Sequence, residues 1–316
     1  MADTVEQVLK QKKESRWNED KRLELMAALK KASQTKSQND LAKMAGVNAG
    51  VLSFVANGQW EQLSDSMIAK LRSFFQLNNW NLRQSYNLVA IRSLCSDAQL
   101  NAKFLAVASY TGAGKTVALK NYNSNNQHSH YVLGTAVMTR KGFVDAILRA
   151  MAIKDEGNLE YKVGLIVGKL SRSVNPLLII DDCGKLSDPC LQVLQIIYDS
   201  TEGHAGIVIA GMDLLKKRID KNAARDKMGF RELKRRITYW LPLILPEQNF
   251  IQTVCNEYDI TNTKALKWIE KQAVDFGTLK NLMLNIELAR ANNADVSVTV
   301  EFLMGLHLGD GAYMGG

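Results

Sequence analysis

The rhythm of hydrophobic and polar positions changes twice along the chain. Up to about residue 78 the apolar residues recur at helical spacing. Leu23, Met26 and Ala27 make a short stripe in an otherwise polar and charged opening, residues 1–32, and Leu63, Met67, Ile68, Leu71, Phe74 and Phe75 predict an amphipathic helix over 60–75. Between them, 36–58 reads as two helices joined by a tight turn. Ala42 is small enough for a helix crossing, Gly46 permits the turn, and Asn48 can cap the second helix. Val47, Leu52 and Val55 supply its inward face, and Asn57-Gly58 stops it. Asn78-Asn79-Trp80-Asn81 reads as a linker. From about residue 82 short apolar runs alternate with helical stretches, with strands expected near 103–109, 130–137, 176–182, 205–211 and 238–245. Such alternation predicts a parallel sheet with helices on both faces. From 247 to 307 the pattern is helical only, over 262–272, 278–291 and 299–307, and the Gly-rich end, 309–316, is expected to be disordered.

Chemistry enters at residues 109–116. Ser109-Tyr110-Thr111-Gly112-Ala113-Gly114-Lys115-Thr116 follows the apolar run 104–108 and opens a helical stretch from Val117. Strand, glycine-containing loop and helix in that order form a nucleotide P-loop. Backbone N–H groups at a helix N-terminus wrap a phosphate where partial positive charge already favours an anion. Lys115 would reach the β- and γ-phosphates of ATP, and the Thr116 hydroxyl would take one position on Mg²⁺. Ser109 stands where the pattern has its first glycine, at a cost if that position needs positive φ. Leu177-Leu178-Ile179-Ile180-Asp181-Asp182 reads as a buried parallel strand ending in two carboxylates. Asp181 would hold Mg²⁺ through water, and Asp182 would act as general base on the attacking water.

Composition narrows the class. The chain has 316 residues, 46% of them hydrophobic, enough for an ordinary core and two or three domains. No apolar run of about 18 residues occurs and no signal peptide opens the chain, so a soluble, cytoplasmic protein without membrane contact is expected. Cys95, Cys183, Cys190 and Cys255 lack paired metal spacing, which argues against a zinc site or disulfide framework. The net charge of +8 suits a polyanion such as nucleic acid, or a solvated lysine-rich surface. The second helix of 36–58 offers Asn48, Ala49, Ser53 and Asn57 outward and no arginine, so sequence-specific base readout is not expected of it.

From about residue 35 to 305 the chain resembles the phage Mu B transposition protein family, AAA+ ATPases that capture target DNA for a transposase. The resemblance rests on the helix-turn-helix at 36–58, the P-loop and carboxylate strand, and three further segments. It implies an α/β fold: an N-terminal helical domain (1–78), a P-loop AAA+ core whose parallel sheet is flanked by helices (79–246), a C-terminal helical lid (247–308) and a tail (309–316). Gly206-Ile207-Val208-Ile209-Ala210-Gly211 resembles the sensor-1 strand, with Met212 in the polar residue's place and Asp213 beside it. Phe230–Ile237 resembles the helix ending in an arginine finger, which makes Arg236 the finger and Arg235 its runner-up. Gly277-Thr278-Leu279-Lys280 resembles sensor 2, with Lys280 replacing the usual arginine and losing its planar fork. DNA contacts are expected at Arg140 and Lys141 after the second strand, then around Lys154 and Lys162. The implied function is an ATP- and Mg²⁺-dependent homo-oligomer, filament or ring, that binds double-stranded DNA largely without regard to sequence and delivers it to a transposase. Hydrolysis, slow and stimulated by DNA and transposase, would drive release. Two other readings stay open: an AAA+ replicative helicase loader, and a helix-turn-helix transcriptional regulator with a degenerate ATPase core.

Overall fold

Five short apolar runs pair into one parallel sheet: β1 (Phe104–Ala108), β2 (Ser129–Leu133), β3 (Leu177–Asp181), β4 (Gly206–Gly211) and β5 (Tyr239–Leu241). Their order across the sheet is β2-β3-β4-β1-β5. In this computed structural model the described residues are 17, 19–75, 77, 82–154, 157–292 and 296–308. The expected linker at 78–81 and tail at 309–316 lie outside them. β2 and β5 stop short of the expected 137 and 245, each for a local reason. Gly134 N donates to Asp181 O (2.8 Å) and the chain then leaves the ladder. Pro242 has no N–H with which to extend β5.

Alternate strand residues feed two cores, as the pleat requires. Phe104, Ala106, Leu178, Ile180, Ile207 and Ile209 pack on one face. Helices α7 (Arg140–Ala150), α8 (Leu159–Arg172), α9 (Asp188–Ser200), α10 (Asp213–Ala224) and α11 (Phe230–Arg236) cover that face. Leu105, Val107, Leu177, Ile179, Val208 and Ala210 pack on the other, under α5 (Tyr86–Leu100) and α6 (Lys115–Asn125). Each fully buried Leu or Ile contributes about 1.5–3 kcal/mol, which explains why β4 and the first four residues of β3 are apolar. Because every strand is parallel, the C-terminal ends of β1, β3 and β4 open on one edge, the edge where open α/β sheets place ligands.

The sheet and its helices form one compact unit, Leu82–Phe250 with Val274–Thr278; Met1–Asn81, Ile251–Ala273 and Leu279–Gly316 form another. In the second unit, α1 (Glu19–Ala32), α2 (Gln38–Ala45), α3 (Ala49–Ala56) and α4 (Asp65–Phe74) enclose a core around Trp17, Leu25, Leu29, Leu52, Ile68 and Leu71. The expected stripe on α1 is corrected here: Leu23 is 55% exposed, while Leu25 and Leu29, an i, i+4 pair, are buried. Residues 60–75 also divide, into a 3-10 turn (Trp60–Gln62) and α4. Gly46 (φ 63°) turns the chain between α2 and α3, and the Asn48 side chain caps α3 by accepting from Gly50 N. Arg72, buried, donates to Lys21 O (2.6 Å) and Glu24 Oε2 (2.7 Å), tying α4 to α1. Helices α12 (Gln248–Glu257), α13 (Thr263–Gln272), α14 (Phe276–Asn292) and α15 (Val300–Leu308) complete the described chain.

Candidate nucleotide site

The loop between β1 and α6 has the backbone that a phosphate cradle needs. Gly112 and Gly114 both sit at φ 83°, a region closed to most side chains, and Gly114 caps α6 with Lys115 as its first residue. Ser109, in the place of the pattern's first glycine, is not among the described residues with positive φ, so the substitution costs no backbone strain there. Its N–H donates to Gly211 O at the end of β4 (3.2 Å). The Lys115 ammonium folds onto its own loop, donating to Ser109 O (3.0 Å) and Tyr110 O (2.6 Å). Burial pushes its pKa down, against the opposing pull of Asp181, Asp213 and Asp182. Those three carboxylates therefore share one electrostatic site with the lysine.

Two side chains fix this loop, and only one of them, Asn87, was not singled out from the sequence. Asn87, buried in the first turn of α5, donates to Ala113 O (3.2 Å) and Ile244 O (2.8 Å) and accepts from Ile244 N (3.0 Å). Tyr110 donates its hydroxyl to the same Ile244 carbonyl (2.5 Å). The P-loop is thus laced to the Ile244 backbone after β5, over 130 positions from Tyr110 in sequence, a link that no local pattern reveals.

At the end of β3 the two carboxylates differ in kind. Asp181 is buried, and both its oxygens are engaged: Tyr131 donates its hydroxyl to Oδ2 and Asp182 N donates to Oδ1, each at 2.8 Å. Burial together with Asp181 pushes the Tyr131 phenol pKa well up, so it stays a donor. A carboxylate has about four acceptor sites, and Asp181 keeps lone pairs for a cation. Asp182 adopts φ 50° and begins a 3-10 turn (Cys183–Lys185). Its Oδ2 takes the Lys185 ammonium at 2.6 Å, and this bond holds the lysine pKa above its ordinary value. Arg218 of α10 pins the turn from below, donating to Gly184 O (3.2 Å), Leu186 O (2.7 Å) and Asp188 Oδ1. Among the described residues no three His, Cys, Asp or Glu side chains converge on one point. Mg²⁺ at a phosphate site needs no such cage, since one or two carboxylates, waters and substrate oxygens suffice. Asp181 and the exposed Thr116 hydroxyl fit that donor set.

The remaining expected residues are scattered in consequence. Met212 is the N-cap of α10 and half exposed, with Asp213 next in the chain and felt by Lys115. Gly277 approaches the P-loop backbone, its missing Cβ 3.6 Å from Gly112 Cα, and Asp275 lies against the same glycine. Lys280, exposed, falls in the other compact unit. Arg236 turns inward, pairing with Asp199 (2.7 Å) and Glu202 (3.6 Å) of its own chain, whereas Arg235 is exposed. Arg140 and Lys141 are exposed on the first turn of α7, capped by Thr139, rather than in the loop itself, and Lys154 is exposed after α7. Lys162 corrects the sequence reading. It sits within α8 with its side chain 4% exposed, bonded to Asp145 Oδ1 at 2.7 Å, and so cannot meet a DNA phosphate without breaking a buried ion pair.

The family described as AAA domain matches residues 98–219, from the end of α5 through most of α10. A curated relative, the Mu-like prophage FluMu DNA transposition protein B of Haemophilus influenzae, is 24% identical over 195 residues, 58% of this chain and 67% of that protein. Among solved structures, the Aeropyrum pernix Orc1 protein in complex with DNA superposes with a TM-score of 0.52 at 11% identity, covering 72% of this chain and 66% of that one. The Thermotoga maritima RuvB Holliday junction branch migration motor gives 0.47 at 14% identity, covering 71% and 69%.

Proposed function

We propose that this chain, an AAA+ ATPase related to the Mu transposition protein B, is a DNA-binding switch that assembles on duplex DNA with ATP and passes that DNA to a transposase. One observation carries the reading: Lys115 at the start of α6 lies in the field of Asp181 and Asp182 at the end of β3, on the strand edge where a triphosphate would be cradled. In hydrolysis, the oxygen of an attacking water bonds the γ-phosphorus, the bond to the departing ADP oxygen breaks, and the water's proton passes to the Asp182 carboxylate. Lys115 stabilises charge on the phosphoryl oxygens. Thr116 and Asp181 are the residues that would hold Mg²⁺, whose charge neutralises the β- and γ-oxygens when bound. An arginine from a neighbouring subunit would complete the charge balance, and the exposed Arg235 suits that role better than the inward-paired Arg236.

The net charge of +8 supports a polyanionic partner. Arg140, Lys141 and Lys154 are our DNA-phosphate contacts; such contacts position a duplex without reading it. The α2–α3 pair, with Asn48 and Asn57 exposed and Ala49 packed against the core, suits shape recognition or protein contact better than base readout. Among the described residues no helix is long and apolar enough to cross a membrane, and we place the switch in the cytoplasm with the DNA. The test is to image and sediment the protein with duplex DNA under ATP, ADP and no nucleotide. ATP alone should give long DNA-bound assemblies that fall apart as it is consumed. Equal size and equal DNA affinity in all three conditions would overturn the reading.

A further inference from the structure

We infer that Asn87 is a positioning residue for nucleotide binding: it holds the Ala113 carbonyl so that the next N–H, on Gly114, faces the phosphates. The inference deepens the nucleotide site proposed above and rests on it. Asn87 is 1% exposed in the first turn of α5, a helix anchored on the sheet by Leu88, Ile91 and Leu94. Its Nδ2 donates to two carbonyls, Ala113 O (3.2 Å) and Ile244 O (2.8 Å), and its Oδ1 accepts from Ile244 N (3.0 Å). A flipped amide would set oxygen against oxygen and N–H against N–H, so these partners fix its orientation.

The peptide plane carries the effect to the loop. No described peptide bond is cis, so the Ala113 carbonyl and the Gly114 N–H lie in one plane and point in opposite directions. With Ala113 buried and its carbonyl drawn inward to Asn87, the Gly114 N–H turns away from the core. Gly114 caps α6, whose first N–H groups have no partner within the helix. P-loop N–H groups cradle the α- and β-phosphates, which ADP and ATP share. Donors already aimed bind those phosphates more tightly than donors that must first turn. A second buried amide sits at the other end of the same helix. Gln99 donates to Gln127 O (2.8 Å) and Asn175 O (2.9 Å) and accepts from the Tyr122 hydroxyl (2.7 Å). It makes as many bonds as Asn87, but about 18 Å along the helix at 1.5 Å per residue, and it ties down the chain entering β2 and β3.

The experiment compares Asn87→Ala, Gln99→Ala and Lys115→Ala with the unaltered protein, all held below their melting temperatures. It measures affinity for ADP and for a slowly hydrolysed ATP analogue, kcat and KM for ATP, and the melting temperature itself. Both amide variants should melt lower. Asn87→Ala should weaken ADP and the analogue by the same factor, about ten- to a hundredfold, the scale of a hydrogen bond to a charged group. The loss should fall on KM more than on kcat, because the shared phosphates are gripped alike before and during transfer. Gln99→Ala should keep both affinities. Asn87→Leu, close in shape but without donors, should show the same loss and replaces Asn87→Ala if that variant does not fold. Unaltered affinity for both ligands with a lowered melting temperature makes Asn87 purely structural and overturns the inference. Loss of binding in Lys115→Ala would then leave the nucleotide site standing. A loss confined to the ATP analogue places the effect at the γ-phosphate and overturns the inference as well. If the unaltered protein binds neither nucleotide, the site reading fails and the role of Asn87 fails with it.

Discussion

The carboxylate of Asp275 rests against the α-carbon of Gly112, in space that a β-carbon at that glycine would fill. Asp275 is itself anchored: its Oδ1 accepts from Thr278 N (2.7 Å) and its Oδ2 from the Thr278 hydroxyl (3.1 Å). The P-loop glycine therefore meets two demands, a positive φ and a close neighbour. Gly114 shares the φ but has nothing within 4 Å of its missing β-carbon. Gly114→Ala should cost about 1–2 kcal/mol for the left-handed backbone alone. Gly112→Ala should cost about 1–3 kcal/mol more, for the overlap with Asp275. Adding Asp275→Ala should return most of that excess, as a double-mutant cycle in denaturant would measure. Additive losses would mean that the contact does not constrain the loop.

This pair also marks the limit of what the chain discloses by pattern. The P-loop is legible because all its requirements fall within eight consecutive residues: a strand before, glycines where the backbone turns, a lysine at the helix start. Asp181 and Asp182 are legible because two adjacent carboxylates directly follow the apolar run Leu177-Leu178-Ile179-Ile180. Asp275, Asn87 and Tyr131 are not, since each serves the site through a partner far along the chain. Lys162 misled for the complementary reason. A lysine in a polar stretch reads as surface, and only the fold brings Asp145 to it.

Arg235 and Arg236 should separate by assay. Arg236 is bound to Asp199 and half sheltered, so Arg236→Ala should lower stability and affect hydrolysis mainly through that loss. Arg235→Ala should leave the melting temperature nearly unchanged and lower assembly-dependent kcat by about 10³-fold or more, the scale of an arginine finger. Mixing Arg235→Ala subunits with Asp182→Asn subunits should recover part of the activity, since some interfaces then pair an intact base with an intact finger. No recovery on mixing would exclude Arg235 as a residue acting across subunits.

His130 on β2 should make stability sensitive to mild acid. Its Nδ1 lies 3.3 Å from Ala150 O, and its buried Nε2 has no hydrogen-bond partner. Burial, together with Lys169 and His128, lowers its pKa below the ordinary 6.5, against the pull of the Ala150 carbonyl. As pH drops below 6.5, the unfolded chain takes up the proton before the folded one does. Stability from this group is complete above that pH and lost as pH falls toward the folded value. Urea midpoints followed between about pH 7 and pH 5 should decline in the unaltered protein and decline less in His130→Gln. An identical slope in both would assign the acid sensitivity elsewhere.

Lys162 and the pair Arg140, Lys141 offer opposite signatures for the proposed DNA surface. Removing the Lys162 ammonium strands Asp145 in a mostly buried setting, and Lys162→Met should cost about 3–5 kcal/mol. Below its melting temperature the folded variant should bind duplex DNA with unchanged affinity and salt dependence. Arg140→Ala and Lys141→Ala remove exposed cations and should each change stability by less than about 0.5 kcal/mol. If each contacts one phosphate, each should weaken binding on every sequence tested and lower the slope of log K against log salt by about one. Titrations of fluorescent duplex DNA at several salt concentrations measure both quantities. An altered salt slope in Lys162→Met, or an unaltered one in the double variant Arg140→Ala/Lys141→Ala, would move the DNA surface away from α7.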